Sequence, residues 1–109
     1  MALTSEGNGT QLAVISTEHT LFTGSDTKSY MVYIDTTNMQ SGDTTEIRVK
    51  VIINSVLITV LFSEYTNAST NAPLMFSPPV PSSISSGWRV TLKQTVGTGR
   101  NYDWRVYSV

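Results

Sequence analysis

Residues 93–104, KQTVGTGRNYDW, have the composition of an anion-binding loop. Gly97 and Gly99 flank a threonine and Arg100 follows, so backbone amides and a guanidinium could together hold a phosphate group. Glycine loops of this kind bind phosphate when they lead into a helix, whose N-terminal amides complete the anion site. Here the residues after Arg100 alternate between apolar and polar side chains, which indicates a strand. The sequence therefore predicts a hairpin turn between the last two strands, with positive φ at both glycines, and no nucleotide site.

The titratable side chains form no catalytic or metal-binding pattern. His19 is the single histidine, and no G-x-S-x-G segment accompanies it to suggest a serine hydrolase. The chain contains no cysteine, which excludes thiolate metal sites and cysteine nucleophiles. Asp35 and Asp43 flank one loop, as a calcium site or a glycosidase pair would require, but turn capping by their side chains is the simpler interpretation. We predict a protein that is not an enzyme and that needs neither a metal nor a cofactor.

Aromatic residues suggest a different chemistry, the stacking of sugar rings on a sheet face. Trp88 and Trp104 share the register of neighbouring aliphatic residues, which predicts core positions instead. Tyr33, Tyr65 and Tyr107 lie outside the most apolar register, and tyrosine is enriched in buried protein contacts. We interpret these tyrosines as candidate interface anchors.

Alternation with a period of two residues dominates the chain. It is clearest in residues 45–51, 88–94 and 102–106, and no window has the i, i+3, i+4, i+7 apolar stripe of a helix. About seven or eight short strands separated by turns predict an all-β, antiparallel β-sandwich, jelly-roll-like or immunoglobulin-like. The predicted core contains Val49, Val51, Val60, Trp88, Val90, Leu92, Trp104 and Val106.

Residues 56–62 depart from this alternation, because they are apolar on both faces. Asn54 and Ser55 precede them and could form the corner of a hairpin. A strand without a polar face is either central in a covered sheet or covered by a partner, and the sequence leaves both alternatives open.

Length and composition indicate one domain with a short extension. A chain of 109 residues can bury a modest core without metal or disulfide support. Residues 1–10 are small and polar, which predicts a flexible N-terminal arm, and residues 11–109 form the single sandwich domain. The first residues lack the pattern of a signal peptide, and no apolar run is long enough to cross a bilayer, so we expect no membrane partner.

The charge balance argues against nucleic acid as a partner. The chain contains seven Lys and Arg residues and eight Asp and Glu residues, which gives a formal net charge of −1. Neither sign forms a run, whereas binding to the phosphate backbone requires clustered cations.

The segment PLMFSPPVP, residues 73–81, is the strongest candidate for a protein interface. Its prolines disfavour a regular helix or a central strand, so its apolar side chains are expected on a stiff, preorganised loop. Exposed apolar patches of this kind usually mark protein contacts, although the same side chains could simply cap the open end of the sandwich. The predicted interface comprises Leu74, Met75, Phe76, Pro78, Pro79 and Val80, together with Arg100 from the glycine loop.

Three stretches resemble small structural proteins of tailed bacteriophages. They are YMVYIDTTNMQSGDTTEIRVKV, FSPPVPSSI and TLKQTVGTGRNYDWRVYSV, which span about residues 30–109. The shared patterns are a D-T-x-N-M-x-x-G-D turn and a closing T-x-G-T-G-R-x-x-x-W segment. The resemblance implies a virion protein on the capsid surface, made in the host cytoplasm. In that role it would be a decoration or cement subunit that bridges capsomers, binds the major capsid protein and forms a homo-oligomer, dimer or trimer. A neck or tail component and a carbohydrate-binding module are the alternatives.

Overall fold

Nine β-strands and no helix form the parts of the chain that the computed structural model describes, residues 3–24, 26–66, 74–82 and 87–109. Every neighbouring pair of strands is antiparallel, which confirms the predicted all-β antiparallel sandwich. In chain order the strands are β1 (Thr4–Leu12), β2 (His19–Gly24), β3 (Ser29–Asp35), β4 (Thr44–Ile53), β5 (Val56–Thr66), β6 (Leu74–Phe76), β7 (Val80–Pro81), β8 (Trp88–Val96) and β9 (Asn101–Ser108).

The strands form two sheets that face each other. One has the order β1-β9-β3-β6, with β7 also paired to β3, and the other has the order β2-β8-β4-β5. The first strand pairs with the last, β2 pairs with β8, β3 pairs with β6 and β7, and β4 pairs with β5. An antiparallel ribbon wound so that its successive pairs alternate between two sheets is a jelly roll. The pairing therefore selects the jelly roll over the immunoglobulin alternative.

The core lies between the sheets and largely follows the predicted alternation. Trp104 is half-buried and packs against the core, whereas Val60 is 41% exposed and is not a core residue. The prediction for Val60 is wrong because the register between β4 and β5 shifts at this residue, so that it no longer follows the alternation. Six predicted core residues are buried: Val49, Val51, Trp88, Val90, Leu92 and Val106.

The N-terminal residues belong to the sandwich. Strand β1 pairs with β9 from Thr4 to Leu12, so the predicted flexible arm is corrected for residues 4–10, while residues 1–2 lie outside the described residues. The small residues in this segment serve packing, because a Cβ on Gly9 would lie 3.2 Å from the indole of Trp104. Small side chains here leave room for a large neighbour and do not indicate disorder.

The glycine loop connects the two sheets and is not a hairpin. Strand β8 belongs to one sheet and β9 to the other, which corrects the predicted hairpin turn. Gly97 has the expected positive φ of 99°, whereas Gly99 is not among the positive-φ glycines. At Gly99 a Cβ would collide with the carbonyl oxygen of Ala13, so this glycine is required for close backbone approach.

Candidate functional site

Strands β4 and β5 form a long hairpin that we call the β4–β5 hairpin, residues 44–66. Their pairing extends from Thr44 opposite Thr66 to Ile53 opposite Val56. Asn54 and Ser55 form the two-residue turn, with φ of 50° and 67°. Positive φ at both central residues defines a type I′ turn, whose twist matches that of the strands. The hairpin corner predicted at these two residues is confirmed.

Strand β5 is an edge strand that is apolar on both faces. Among the described residues it pairs only with β4, so within this part of the chain it lies at the edge of its sheet and not in the central position considered for residues 56–62. Val56 is 57% exposed and Phe62 is 52% exposed. Other large apolar side chains of the same hairpin are also exposed, namely Ile53, Leu57, Ile58 and Val60.

A β-bulge at Val60 changes which apolar residues of β5 point to each face. Leu61 lies opposite Val49 and Thr59 lies opposite Lys50, which leaves Val60 as the extra residue of β5. A bulge reverses the alternation of the strand beyond it, so even-numbered and odd-numbered residues exchange faces on its two sides. Ile58 and Leu61 therefore lie opposite the buried Val51 and Val49, while Leu57 and Phe62 lie on the other face of the sheet.

A groove of about 380 Å³ adjoins the exposed end of the hairpin. The end of β4 and Val60 of β5 line one side, while β7 and Ser82 line the other. Val80, a member of the predicted interface, thus lies beside the hairpin. The lining residues are Val51, Ile52, Ile53, Val60, Val80, Pro81 and Ser82.

Charged residues stop where the apolar surface begins. Residues 51–63 contain no charged side chain. Just before them, Lys50 Nζ donates to Glu18 Oε2 at 2.6 Å, and the guanidinium carbon of Arg48 lies 4.7 Å from the centre of the Phe62 ring. Hydrogen bonds from Lys50 and Thr91 hold the pKa of Glu18 below its usual value. Lys50 and Arg48 are thus engaged within the protein, and Arg48 covers part of the Phe62 ring. Val56, Leu57 and Ile58 remain exposed.

Among the predicted interface residues whose side chains the structure describes, Arg100 lies apart from Val80. Pro78 and Pro79 are exposed between β6 and β7, whereas the side chains of Leu74, Met75 and Phe76 lie outside what the structure describes. Val80 pairs with Tyr30 near the start of β3. Arg100 binds Asp43, which lies in the loop that follows the end of β3. Arg100 and Val80 therefore lie at opposite ends of the sandwich.

Arg100, in the glycine loop, forms hydrogen bonds with other residues of the protein. Its Nε donates to Asp43 Oδ2 at 2.8 Å, and its backbone N–H donates to Gln94 Oε1 at 3.1 Å. The hydrogen bond from Arg100 is the main cause that lowers the pKa of Asp43. The Nε of its guanidinium and its backbone amide are therefore used within the protein, which supports the interpretation of this loop as a structural connection.

Gln94 organises this loop, and the sequence-based reasoning missed it. Its side chain is 0% exposed, and its Nε2 donates to the carbonyl oxygens of Thr98 and Val96 at 2.8 and 3.1 Å. The Tyr102 hydroxyl donates to Gln94 Oε1 at 3.1 Å and lies 2.6 Å from the Thr45 hydroxyl. Burial raises the pKa of Tyr102. A polar residue at an inward position of β8 was the available signal.

A shallow depression of about 400 Å³ lies on the outer face of the five-stranded sheet. Tyr33 and Tyr107 lie on this face, with ring centres 5.8 Å apart and planes at 84°. Asp103 Oδ1 accepts a hydrogen bond from the Thr10 hydroxyl. The depression is lined by Asn8, Gly9, Thr10, Tyr33, Asp35, Asp103, Trp104 and Arg105.

The other candidates for chemistry have structural roles. Asp35 Oδ1 accepts from the Thr37 N–H at 2.9 Å, while Asp43 binds Arg100 and caps Gln40, so the turn-capping interpretation is confirmed. His19 Nε2 accepts from the Val14 N–H at 3.0 Å.

Neither the described residues nor comparison with other proteins supplies a catalytic or family assignment. Within the described ranges, no group of three or more His, Cys, Asp or Glu side chains could hold a metal ion, and no helix is long and apolar enough to cross a membrane. No family model, curated protein or solved structure matches the chain. The β4–β5 hairpin carries six of the eleven large apolar side chains that are exposed among the described residues.

Proposed function

We propose that the protein is a structural subunit of a larger assembly and that the β4–β5 hairpin is its assembly surface. The observation that carries the proposal is strand β5, an edge strand with Val56 and Phe62 more than half exposed on it. A contiguous apolar patch on a folded domain usually marks a protein contact. A partner would complete the cover of β5, which corresponds to the second alternative that the sequence left open for residues 56–62.

The assembly that we propose is the capsid shell of a tailed bacteriophage, which the protein decorates or cements by bridging capsomers. The resemblance of residues 30–109 to small structural proteins of such phages supports this choice. The jelly roll agrees with it, since the fold occurs in viral capsid proteins, but the fold also occurs in lectins and does not define a function. A neck or tail position would use the same surface in another part of the virion.

The mechanism is the burial of apolar surface between shell subunits. Complete burial of a large aliphatic or aromatic side chain contributes roughly 1.5–3 kcal/mol. Leu57, Ile58 and Phe62 are about half exposed, so each would contribute about 1 kcal/mol when a partner covers it. Repetition of the contact over many copies on a shell multiplies this effect without any catalytic step.

Co-sedimentation with capsid shells tests the proposal. Shells assembled from the major capsid protein of the same genome are mixed with the purified protein and pelleted. We expect the protein in the pellet, at a fixed ratio to the capsid protein, and shells that withstand a higher temperature. Protein that stays in the supernatant while intact shells sediment would refute the capsid proposal, and recovery with purified necks or tails would favour the alternative location.

A matched pair of double variants tests the surface. Leu57→Ser with Phe62→Ser removes two exposed side chains of β5, whereas Leu12→Ser with Val96→Ser removes two side chains of similar exposure elsewhere. We expect the first variant to lose about 2 kcal/mol of binding free energy, a decrease in affinity of about 30-fold, and the second to bind as the original protein does. Equal losses in both variants would show that β5 is not the assembly surface.

Carbohydrate binding is the second candidate, and the depression beside Tyr33 is the observation that favours it. Aspartate, arginine and tyrosine side chains converge there, as they do in sugar sites. The tyrosine planes meet at 84°, however, and do not form the flat platform on which a sugar ring stacks. A nuclear magnetic resonance titration with a panel of oligosaccharides separates the candidates: shifts centred on Tyr33 and Arg105, abolished by Tyr33→Ala, would favour the sugar site.

A further inference from the structure

No strand of the described residues pairs with the outer edge of β5, and this edge lacks most of the devices that prevent strand pairing. Edge strands of soluble proteins are usually short, charged, interrupted by proline or covered. Strand β5 has eleven residues, contains no proline, and carries its single charge at Glu64, near its end. The bulge at Val60 is the one feature that interrupts it. The edge is therefore suited to accept another strand.

We propose that the occupant is β5 of a second copy of this chain, paired antiparallel around a two-fold axis at Thr59. The two four-stranded sheets would then form one continuous sheet of eight strands. This inference deepens the proposed function and rests on it in one respect, that β5 is an assembly surface. A second copy is favoured over another protein because residues 51–63 contain no charge, so that a self-contact brings no like charges together.

The bulge defines the register of this pairing. A two-fold axis perpendicular to a sheet places the same face of both copies on the same side. Thr59 lies on the outer face, opposite Lys50, whereas Ile58 and Leu61 lie opposite the buried Val51 and Val49. Thr59 can therefore face Thr59 of the second copy, and Ile58 then faces Leu61 of that copy, with Val60 as the extra residue.

The same register aligns apolar side chains along the whole contact. Leu57 faces Phe62 of the second copy on the outer side, and Val56 faces Ser63. The paired segment is thus residues 56–63, and Glu64 lies just beyond it. Two threonines at the axis are a favourable cross-strand pair, because each hydroxyl can donate to the other.

The size of the contact predicts a modest affinity. Pairing of eight residues on each strand forms about eight hydrogen bonds between the two backbones. A typical protein–protein interface has about ten direct hydrogen bonds. At roughly 60–120 Å² of apolar surface per buried side chain, the half-exposed side chains of residues 56–62 supply on the order of 200–300 Å² per copy. That places the contact at the low end of specific interfaces, so we expect a dimer that dissociates in the micromolar range.

Single cysteines test the position of the axis, because the chain has none of its own. Residues directly opposite in an antiparallel pair have Cα atoms about 4.5–5.5 Å apart, which is within the range of a disulfide. Thr59→Cys should form a disulfide dimer on mild oxidation, and a short bismaleimide linker should give the same product. Thr66→Cys is the control, since this exposed threonine of β5 would lie more than about 40 Å from its counterpart. Equal cross-linking of both variants, or of neither, would overturn the proposal.

A charge exchange tests the register without relying on a disulfide. Sedimentation velocity over a range of concentrations should give a dimer for the original chain and monomers for Leu57→Lys and for Phe62→Glu. The double variant should dimerise again, because each new lysine faces a new glutamate of the second copy. Thermal unfolding of the four proteins verifies that the single variants are folded. A chain that stays monomeric up to about 100 µM, or a double variant that does not regain the dimer, would overturn this pairing.

The outcomes separate this inference from the proposed function. A dimer that does not sediment with shells supports the pairing and refutes the capsid role. A chain that binds shells as a monomer supports that role and refutes the pairing.

Discussion

The two ends of β4 lie in contrasting surroundings. At its start, Thr45 and the preceding Asp43 are buried in a network of hydrogen bonds with Gln94, Tyr102 and Arg100. At its end, Ile53 and the neighbouring residues of β5 expose apolar side chains to solvent. One end satisfies its polar groups within the chain, and the other leaves apolar surface uncovered.

The two ends of β4 are expected to affect different properties: substitutions at its start should change the stability of the fold, and substitutions at its end should change assembly. A buried polar group stabilises the fold only when its partners are present, so the network end should respond strongly to substitution in the isolated protein. Exposed apolar side chains contribute little to the isolated fold, so the β4–β5 hairpin should respond mainly when a partner binds. Four predictions test this difference, from the largest expected effect to the smallest.

Gln94→Ala should cause the largest loss, about 3–5 kcal/mol of unfolding free energy, because it leaves several buried polar groups without partners. The affected groups include the Tyr102 hydroxyl and the Arg100 amide. Urea denaturation followed by circular dichroism measures the change. Gln11→Ala is the control, since Gln11 is half-buried and, among the described residues, its side chain donates to the neighbouring Leu12 carbonyl oxygen, so that no buried network depends on it. A loss below about 1 kcal/mol for Gln94→Ala would contradict the role assigned to the network.

Arg100→Met should cost about 2 kcal/mol at neutral pH, because it leaves the buried Asp43 carboxylate without its charged partner. The effect depends on pH. Arg100 lowers the pKa of Asp43 in the folded state, so its stabilisation is fully present above the unfolded value of about 3.9 and is lost as pH falls through the lower folded value. Denaturation of both proteins between pH 7 and pH 2 should show the difference shrinking below about pH 4. A difference that is constant with pH would refute the charge pairing.

Ser55→Gly should stabilise the isolated protein by about 0.5 kcal/mol. A φ of 67° is unfavourable for serine, because its Cβ crowds the backbone, whereas glycine adopts this φ without strain. Asn-Gly is also the preferred residue pair for a type I′ turn. The gain is partly offset by the larger entropy of glycine in the unfolded chain. Thermal unfolding measures it, with Ser41→Gly as a control, because Ser41 lies in a turn but is not itself a residue with positive φ. Destabilisation by Ser55→Gly would show that this turn is not type I′.

Leu57→Ser should have the smallest effect on the isolated protein, less than about 0.5 kcal/mol, although it removes a large apolar side chain. Leu57 is exposed, so its removal opens no cavity. Ile47→Ser is the contrasting variant, because Ile47 is fully buried in the same hairpin and should cost several kcal/mol. If Leu57→Ser were as destabilising as Ile47→Ser in a monomer, the hairpin would be part of the core.

The sequence determined most of the strands and most of the core. Alternation of side chains is a local property of an extended chain, which is why Val49, Val90 and Leu92 could be assigned to the interior without knowledge of their partners. The turn at Asn54 and Ser55 was also local, because both residues favour turn conformations. The inward position of Gln94 was visible in the same alternation, but the groups that satisfy its side chain were not.

Only the tertiary structure decided which strands meet. Thr4 pairs with Ser108 and Leu12 with Asn101, so the place of β1 depends on residues at the other end of the chain, and a polar segment next to Trp104 looked like a flexible arm. The same long-range pairing sends β8 and β9 to different sheets and leaves β5 at an edge. Hydrogen bonds between strands are made by backbone groups that every residue carries. Side-chain patterns therefore indicate that a strand forms, whereas its neighbours follow from how the whole ribbon winds to bury its apolar faces.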